Sequence, residues 1–251
     1  MKYCAPSRPQ LRRVSFAPAA VASLAASLAP VSHGSDCTRT GVGFIPLTQL
    51  GQSLYLGQYP GGLYPGGRNT MPLLHLNEGL KRAQSVQPRN SAGQPDPNGR
   101  IVFLSIGMSN TTQEWCSQAS PTVCDPWSFM GRAAASPLVE HARLLVADGA
   151  RGGQDASTWD SVTDPNYNTV RDQVLVPQGV TEAQVQAIWL KVANAQPTVP
   201  LPSPTADAFT LKAQSGNIVR ACRARYPNLQ IVFVSTRIYA GYASSVLNPE
   251  P

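Results

Sequence analysis

A serine follows the most apolar run of the chain. Residues 101–106 read IVFLSI, and the next four residues are Gly107, Met108, Ser109 and Asn110. A serine in this position can cap a helix that starts there, because its side chain accepts a hydrogen bond from the backbone of the first turn. It can also act as a nucleophile at the edge of a parallel sheet, where ligands bind beyond the carboxyl ends of the strands. The elements around Ser109 decide between these roles.

Three more short apolar runs predict strands after the first one. They cover residues 143–148, 186–191 and 230–235, and each follows a segment with helical character. The helix before the last run, roughly residues 206–225, offers four side chains for burial: Phe209, Ile218, Val219 and Cys222. Strands that alternate with helices pair in parallel. We therefore predict an α/β fold with a doubly wound parallel sheet and helices on both faces, a three-layer flavodoxin-like arrangement.

The region before the first strand has a different character. Residues 41–69 are rich in glycine and tyrosine and show no sustained period, which predicts an irregular surface layer. Its aromatic side chains could line a substrate cleft or simply cover the core. After it, Leu73, Leu76, Leu80 and Ala83 recur at helical spacing, which predicts a helix that starts near Pro72.

Polar and small residues come directly after each predicted strand. Because the carboxyl ends of parallel strands meet at one edge of a sheet, we predict a binding site at that edge. The residues in question are Gly107, Ser109 and Asn110 after the first strand, GARGGQDAS (149–157) after the second, Asn194 after the third, and Arg237 and Tyr239 after the fourth.

The order of these residues resembles the SGNH (GDSL-like) hydrolases, in which a serine, a glycine and an asparagine follow the first three strands. The resemblance covers roughly residues 100–240. Ser109 in GMSN stands in the place of the nucleophile, Gly153 (or Gly152) matches the second block, and Asn194 in VANAQPT matches the third. The segments GGLYPGG, FLSIGMSNTTQE and NPEP are also similar to a group of uncharacterised secreted bacterial proteins.

The resemblance implies a serine esterase that acts on a small-molecule or carbohydrate ester. Attack on an ester carbonyl creates an oxyanion, which fixed hydrogen-bond donors must stabilise. The backbone N–H groups of Ser109 and Gly153 and the amide of Asn194 would supply them. The substrate-binding residues would be Asn110, Gln154, Asp155, Arg237 and Tyr239. The glycine-rich loop carries neither a phosphate-loop nor a dinucleotide pattern, and we expect no cofactor and no metal.

Each of these residues also has an ordinary structural explanation. Ser109 could cap a helix that contains Gln113 and Glu114, the glycine pair could form a simple turn, and Asn194 is a common residue type at strand ends. Two departures from the family pattern stand beside them. Met108 replaces the family's aspartate, and the third block lacks the Gly-Asn-Asp triplet.

The general base of such an enzyme is missing from the sequence. The family supplies it in an Asp-x-x-His block near the C-terminus, and the chain contains no such motif. His33 lies in the N-terminal segment, His75 on the early predicted helix, and His141 just before the second strand, at the opposite end of the sheet from Ser109. We therefore expect a C-terminally truncated copy of a hydrolase that is nearly inactive on small esters. Non-catalytic glycan binding, or a purely structural secreted module, is the alternative on the same fold.

Charge and composition exclude several other classes. The chain has 251 residues, 14% of them charged, and a formal net charge of +6. Four of the cations precede residue 35 with no acidic residue among them: Lys2, Arg8, Arg12 and Arg13. The rest of the chain has no basic stripe with interleaved aromatic residues, so we expect no nucleic-acid partner. The apolar stretch after the cations is too short and too rich in proline to span a membrane.

That N-terminal segment is typical of a secretory signal peptide, and an unstructured alanine-rich tail is the alternative. We predict a signal peptide over residues 1–34, Gly/Tyr-rich loops with one helix over 35–99, and a hydrolase-like domain that lacks its C-terminal block over 100–251. The exported protein would be secreted or periplasmic. It would keep four cysteines: Cys37, Cys116, Cys124 and Cys222. Because seven residues separate Cys116 from Cys124, we predict a disulfide between them, with free buried thiols as the alternative.

Overall fold

Four parallel strands carry the fold. The structure, a computed structural model, describes residues 45–117 and 124–235. In chain order its elements are α1 (Leu47–Leu50), β1 (Leu54–Tyr55), β2 (Tyr59–Pro60), α2 (Leu73–Gln84), β3 (Ile101–Gly107), α3 (Ser109–Trp115), α4 (Phe129–Ala135), β4 (Leu144–Asp148), α5 (Pro165–Val170), β5 (Val185–Lys191), α6 (Asp207–Arg225) and β6 (Ile231–Val234). A π-helical segment, Arg171–Leu175, continues α5.

The strand order of the sheet is β4-β3-β5-β6, and all three neighbouring pairs are parallel. The predicted α/β class and parallel sheet are confirmed, and each predicted strand lies within one residue of its observed bounds. From β3 the chain moves to β4 on one side, whereas from β5 it moves to β6 on the other. The direction of winding therefore reverses between β3 and β5, and the crevice outside such a reversal is where open α/β sheets bind ligands.

Both faces of the sheet are covered, which explains why β3 is apolar at nearly every position. On one face Val102, Leu104 and Ile106 are fully buried. They belong to a core cluster that includes Tyr167 of α5 and Ile218 of α6. On the other face an aromatic cluster joins β3 to the helices that follow it. The ring of Phe103 meets those of Trp115 on α3 and Phe129 on α4 edge-on, at 5.2 and 5.9 Å between centroids.

The helix predicted near Pro72 is present as α2, but its apolar positions are not buried. Leu73, Leu76 and Leu80 are 69%, 37% and 54% exposed. α2 contacts the edge strand β6, so it borders the sheet and does not enter the core. Helical periodicity predicted this helix correctly. It did not predict that so little of the described chain would pack against the apolar face of the helix.

The Gly/Tyr-rich segment folds against itself and against α6. A Cβ atom at Gly62 would lie 2.5 Å from the carbonyl carbon of Gly67, and one at Gly67 would lie 2.4 Å from the carbonyl oxygen of Gly51. This close backbone approach explains the second glycine of each YPGG segment. Phe209 of α6, which we expected in the core, is 40% exposed, and its ring lies 6.3 Å from that of Tyr59 in this segment.

Some predictions fall on parts of the chain that the structure does not describe. The predicted signal peptide over residues 1–34 lies there, as do Arg237 and Tyr239. Within residues 45–117 and 124–235, no helix combines the length and the apolar character that a membrane crossing requires.

Candidate active site at the carboxyl edge of the sheet

Ser109 is exposed at the carboxyl end of β3, as the first residue of α3. The N-cap position belongs to Met108, and no side chain caps this helix. Within the described residues the Ser109 hydroxyl makes no hydrogen bond. The capping role that we considered for Ser109 is therefore not observed. Its hydroxyl is left accessible at the edge of the sheet, beside the point where the winding reverses.

The first turn of α3 is held against the end of β5. A Cβ atom at Gly107 would lie 2.3 Å from both the carbonyl oxygen of Lys191 and the hydroxyl oxygen of Thr111, so only glycine fits there. The Thr111 hydroxyl donates to the Lys191 carbonyl over 2.8 Å. Because these contacts involve backbone and a short side chain, they fix the position of Ser109 relative to the strand that leads to Asn194.

The loop after β4 turns back over the end of β3 and brings a glycine to Ser109. The N–H of Arg151 donates to the carbonyl oxygen of Gly107 over 3.0 Å. A Cβ atom at Gly152 would lie 3.9 Å from the Cβ of Ser109, whereas one at Gly153 would meet nothing within 4 Å. Gly153 has a φ of +74°, which favours glycine for conformational reasons. Gly152 is thus the member of the pair that approaches Ser109, and the oxyanion role of Gly153 stays a prediction.

A polar pair inside the sheet positions that loop. Ser105 lies opposite Asp148 in the register of β3 and β4, and its hydroxyl donates to Asp148 over 2.6 Å. The same hydroxyl accepts from the N–H groups of Gly149 and Ala150 at 3.1 and 3.2 Å. Thr112 donates to the other oxygen of Asp148. Burial raises the pKa of Asp148 above its ordinary value, and the hydrogen bonds from Ser105, Thr112 and Ala150 oppose that rise.

Asn194 lies at the same edge of the sheet, after β5. Its Nδ2 donates to Oε1 of Gln214 on α6 over 2.8 Å, which leaves one amide hydrogen for another acceptor. The carbonyl oxygen of the preceding residue, Ala193, accepts from the N–H of Ala156 in the loop after β4 over 2.9 Å. The segments that carry the glycine pair and Asn194 are therefore joined directly.

Asn110, Gln154 and Asp155, which we predicted for substrate binding, all make hydrogen bonds within the protein. Oε1 of Gln154 accepts from Nδ2 of Asn166 over 2.9 Å. Asp155 accepts from the N–H of Ser157 over 3.0 Å and from that of Ala195 over 3.3 Å, and so caps a short 3-10 turn. Asn110 accepts a long contact of 3.5 Å from the Thr111 hydroxyl. Their contribution to substrate binding stays a prediction.

One charged pair at this edge was missed by sequence reasoning. The ammonium group of Lys191, the last residue of β5, lies 2.5 and 2.6 Å from the carboxylate oxygens of Glu114 on α3. The Lys191 side chain is 4% exposed and that of Glu114 is 33% exposed. The only sign of this pair in the sequence was a lysine at the end of an apolar strand. Its partner lies 77 positions away, so the sequence could not identify it.

The cysteines of the described chain form one disulfide and one free thiol. Cys116, just after α3, is bonded to Cys124, and their Cα atoms are 4.7 Å apart. The predicted bridge is confirmed. Cys222 is a buried free thiol in the core, and burial raises its pKa to about 12. No described residues form a group of three or more His, Cys, Asp or Glu side chains that could hold a metal ion.

Neither described histidine makes a hydrogen bond or ring contact with Ser109. His75 is exposed on α2, where its ring centroid is 6.2 Å from that of Tyr64. Nε2 of His141 lies 3.0 Å from the carbonyl oxygen of Ser136, ahead of β4 and thus at the amino end of the sheet. His141 therefore lies at the opposite end of the strands from Ser109, as expected.

No protein-family model, curated protein or solved structure matches this chain. The similarity to the SGNH hydrolases therefore depends on the order of three features along the sheet edge: Ser109, the Gly152–Gly153 pair and Asn194. These features follow β3, β4 and β5 in turn.

Proposed function

We propose that this protein is an exported serine ester hydrolase of the SGNH type, with Ser109 as its nucleophile. The observation that carries the proposal is the exposed hydroxyl of Ser109, which makes no hydrogen bond within the described residues and lies next to Gly152, where the winding of a parallel sheet reverses. Two strands flank that point, and Asn194 follows the second of them. The Cys116–Cys124 disulfide supports export, because such bonds persist in oxidising compartments.

In the proposed reaction the Ser109 oxygen attacks the acyl carbon and its proton passes to a base. The ester C–O bond then breaks, the alcohol leaves with a proton, and water hydrolyses the acyl-serine to release the acid and restore Ser109. The N–H groups of Gly149, Ala150 and Arg151 are already engaged, so the backbone N–H groups of Ser109, Gly152 and Gly153, with the second amide hydrogen of Asn194, would stabilise the oxyanion. Losing one such donor typically costs about 2.7–4 kcal/mol of transition-state stabilisation.

Among the described residues, no histidine contacts Ser109 to act as its general base. A serine at its free pKa is a poor nucleophile, and a positioned base contributes typically about 10²–10⁴-fold. Because a base assists both acylation and deacylation, we expect turnover of small acetyl esters to stay low, whereas a covalent probe that is not released should accumulate on Ser109 over a long incubation. Covalent labelling of the serine therefore tests the proposal more directly than the release of product does.

The test is labelling of the full chain, with its disulfide intact, by a fluorophosphonate probe. Ser109→Ala should abolish labelling. Ser91→Ala is the matched control, because Ser91 is also exposed and its hydroxyl makes no hydrogen bond within the described residues. Peptide mapping should place the probe on Ser109. A folded protein that reacts equally well with and without the Ser109 hydroxyl would refute the proposal and favour the non-catalytic glycan-binding alternative.

A further inference from the structure

A cleft of about 250 Å³ opens beyond the outer edge of β4. It lies between α3 on one side and α5 with the π-helical segment on the other. Its polar lining includes Thr112, Asp148, Arg151 and Gln173. Val174 and Pro177 give it an apolar side, and Val170, which also lines it, is fully buried.

The cleft is continuous with the candidate active site. Thr112 follows Ser109 by three positions on α3, so the two side chains lie on the same face of the helix, about 4.5 Å apart along its axis. On the other side Arg151 directly precedes Gly152, the glycine that approaches Ser109. Ser109 is therefore near two residues of the cleft, although it does not line it.

The polar groups of the cleft offer both kinds of hydrogen-bonding partner. Asp148 contributes one remaining acceptor position on Oδ2, because Oδ1 accepts from Ser105 and Ala150 and Oδ2 accepts from Thr112. Arg151 uses one Nη on Asn166 at 3.2 Å, and the rest of its guanidinium has no partner within the described residues. Gln173 lies exposed at the rim, and its amide likewise makes no hydrogen bond to the described chain. Hydroxyl groups both donate and accept, so they can pair with all three side chains.

We propose that this cleft binds a single neutral, hydroxyl-rich ring, such as one sugar unit or a cyclic polyol. One carboxylate and one guanidinium balance each other, which favours no net charge on the ligand. The apolar side formed by Val174 and Pro177 suits the C–H face of such a ring. The volume is below the roughly 300–1,000 Å³ of pockets for drug-sized ligands, which limits the occupant to about one ring. This assignment rests on the proposed function, in which the ring would be the alcohol part of the ester that Ser109 cleaves.

Ligand-detected NMR titration of the full oxidised chain tests the binding site without requiring catalysis. The probes are the methyl glycosides of glucose, galactose, xylose and N-acetylglucosamine, together with myo-inositol. Cyclohexanol and glucuronate serve as the apolar and the anionic comparison. We expect at least one neutral polyhydroxylated ring to bind with millimolar or better affinity and to bind more tightly than both comparison compounds.

Two variants locate the binding in the cleft. Gln173→Leu changes an exposed residue whose side chain makes no hydrogen bond within the described residues, so the variant should fold normally and weaken binding by about threefold or more. Thr112→Val should also weaken binding, and circular dichroism establishes that it is folded. Thr163→Val, at an exposed threonine outside the cleft lining, should leave the affinity unchanged.

Three results would overturn the proposal. They are no binding of any neutral ring at about 50 mM, tighter binding of cyclohexanol or glucuronate, or an affinity that Gln173→Leu leaves unchanged. Fluorophosphonate labelling of the same samples separates the two proposals. Labelling of Ser109 without ring binding would leave the hydrolase standing and remove the sugar cleft. Ring binding without labelling would support the cleft and refute the hydrolase.

Discussion

The buried ion pair between Lys191 and Glu114 should respond very differently to loss of either partner. Glu114→Gln leaves the Lys191 ammonium group without a compensating charge in a side chain that is only 4% exposed. Removing one partner of a buried pair typically costs about 3–5 kcal/mol. Because the glutamine oxygen can still accept one hydrogen bond, we expect a loss of about 3 kcal/mol in the free energy of unfolding.

Lys191→Met should be much milder. The carboxylate left behind is 33% exposed and can be hydrated, and methionine replaces the apolar stem of lysine. We expect a loss of about 1 kcal/mol, close to the value of an exposed pair. The double variant should be nearly as stable as the natural chain, since replacing a whole buried pair with neutral groups is often neutral or stabilising.

Urea unfolding, followed by circular dichroism and by tryptophan fluorescence, measures all four members of this cycle. The two signals should coincide if unfolding is two-state. Sodium chloride at 1 M should change the difference between variants little, because buried pairs are weakly screened. Our reasoning fails if Lys191→Met costs as much as Glu114→Gln, or if the losses of the two single variants simply add in the double variant.

Three further predictions concern the core, the disulfide and pH. Within the described residues the buried hydroxyl of Tyr226 has no hydrogen-bond partner, so Tyr226→Phe should stabilise the protein by about 1–3 kcal/mol. Tyr167→Phe removes the 2.7 Å hydrogen bond to the Trp159 carbonyl, so it should destabilise the protein. Equal effects of the two variants in thermal unfolding would contradict this prediction. Replacing Cys116 and Cys124 with serine should cost about 2.5 kcal/mol in urea, given a sequence separation of 8, and a loss near zero would count against the bridge in solution. Because burial raises the folded-state pKa of Asp148 above 3.8, its contribution to stability is greatest at low pH and falls as pH rises from 3.8 through the folded-state pKa. Asp148→Asn should remove that part of the pH dependence, and parallel stability profiles for the two proteins from acid to neutral pH would refute it.

The sequence alone was sufficient for the four strands of the main sheet and for their parallel pairing. Apolar runs separated by helical segments predict parallel strands, because each run must be buried on both faces and the chain must return to the same end of the sheet before pairing again. This local pattern placed β3, β4, β5 and β6 within one residue. It also placed Ser109 and Asn194 beyond strand ends, and the spacing of Cys116 and Cys124 predicted their bond.

The side-chain partnerships at the edge of the sheet needed the tertiary structure. Glu114 and Lys191 are 77 positions apart, and Ser105 and Asp148 are 43 apart, so no local pattern links them. The same holds for the choice between Gly152 and Gly153, which differ in sequence by nothing but position. Backbone packing decides it, because the loop after β4 is fixed through Arg151 to Gly107 and turns only one glycine toward Ser109. Periodicity specifies which residues can be buried or brought to an edge, whereas the contact that each makes depends on how distant segments of the chain meet.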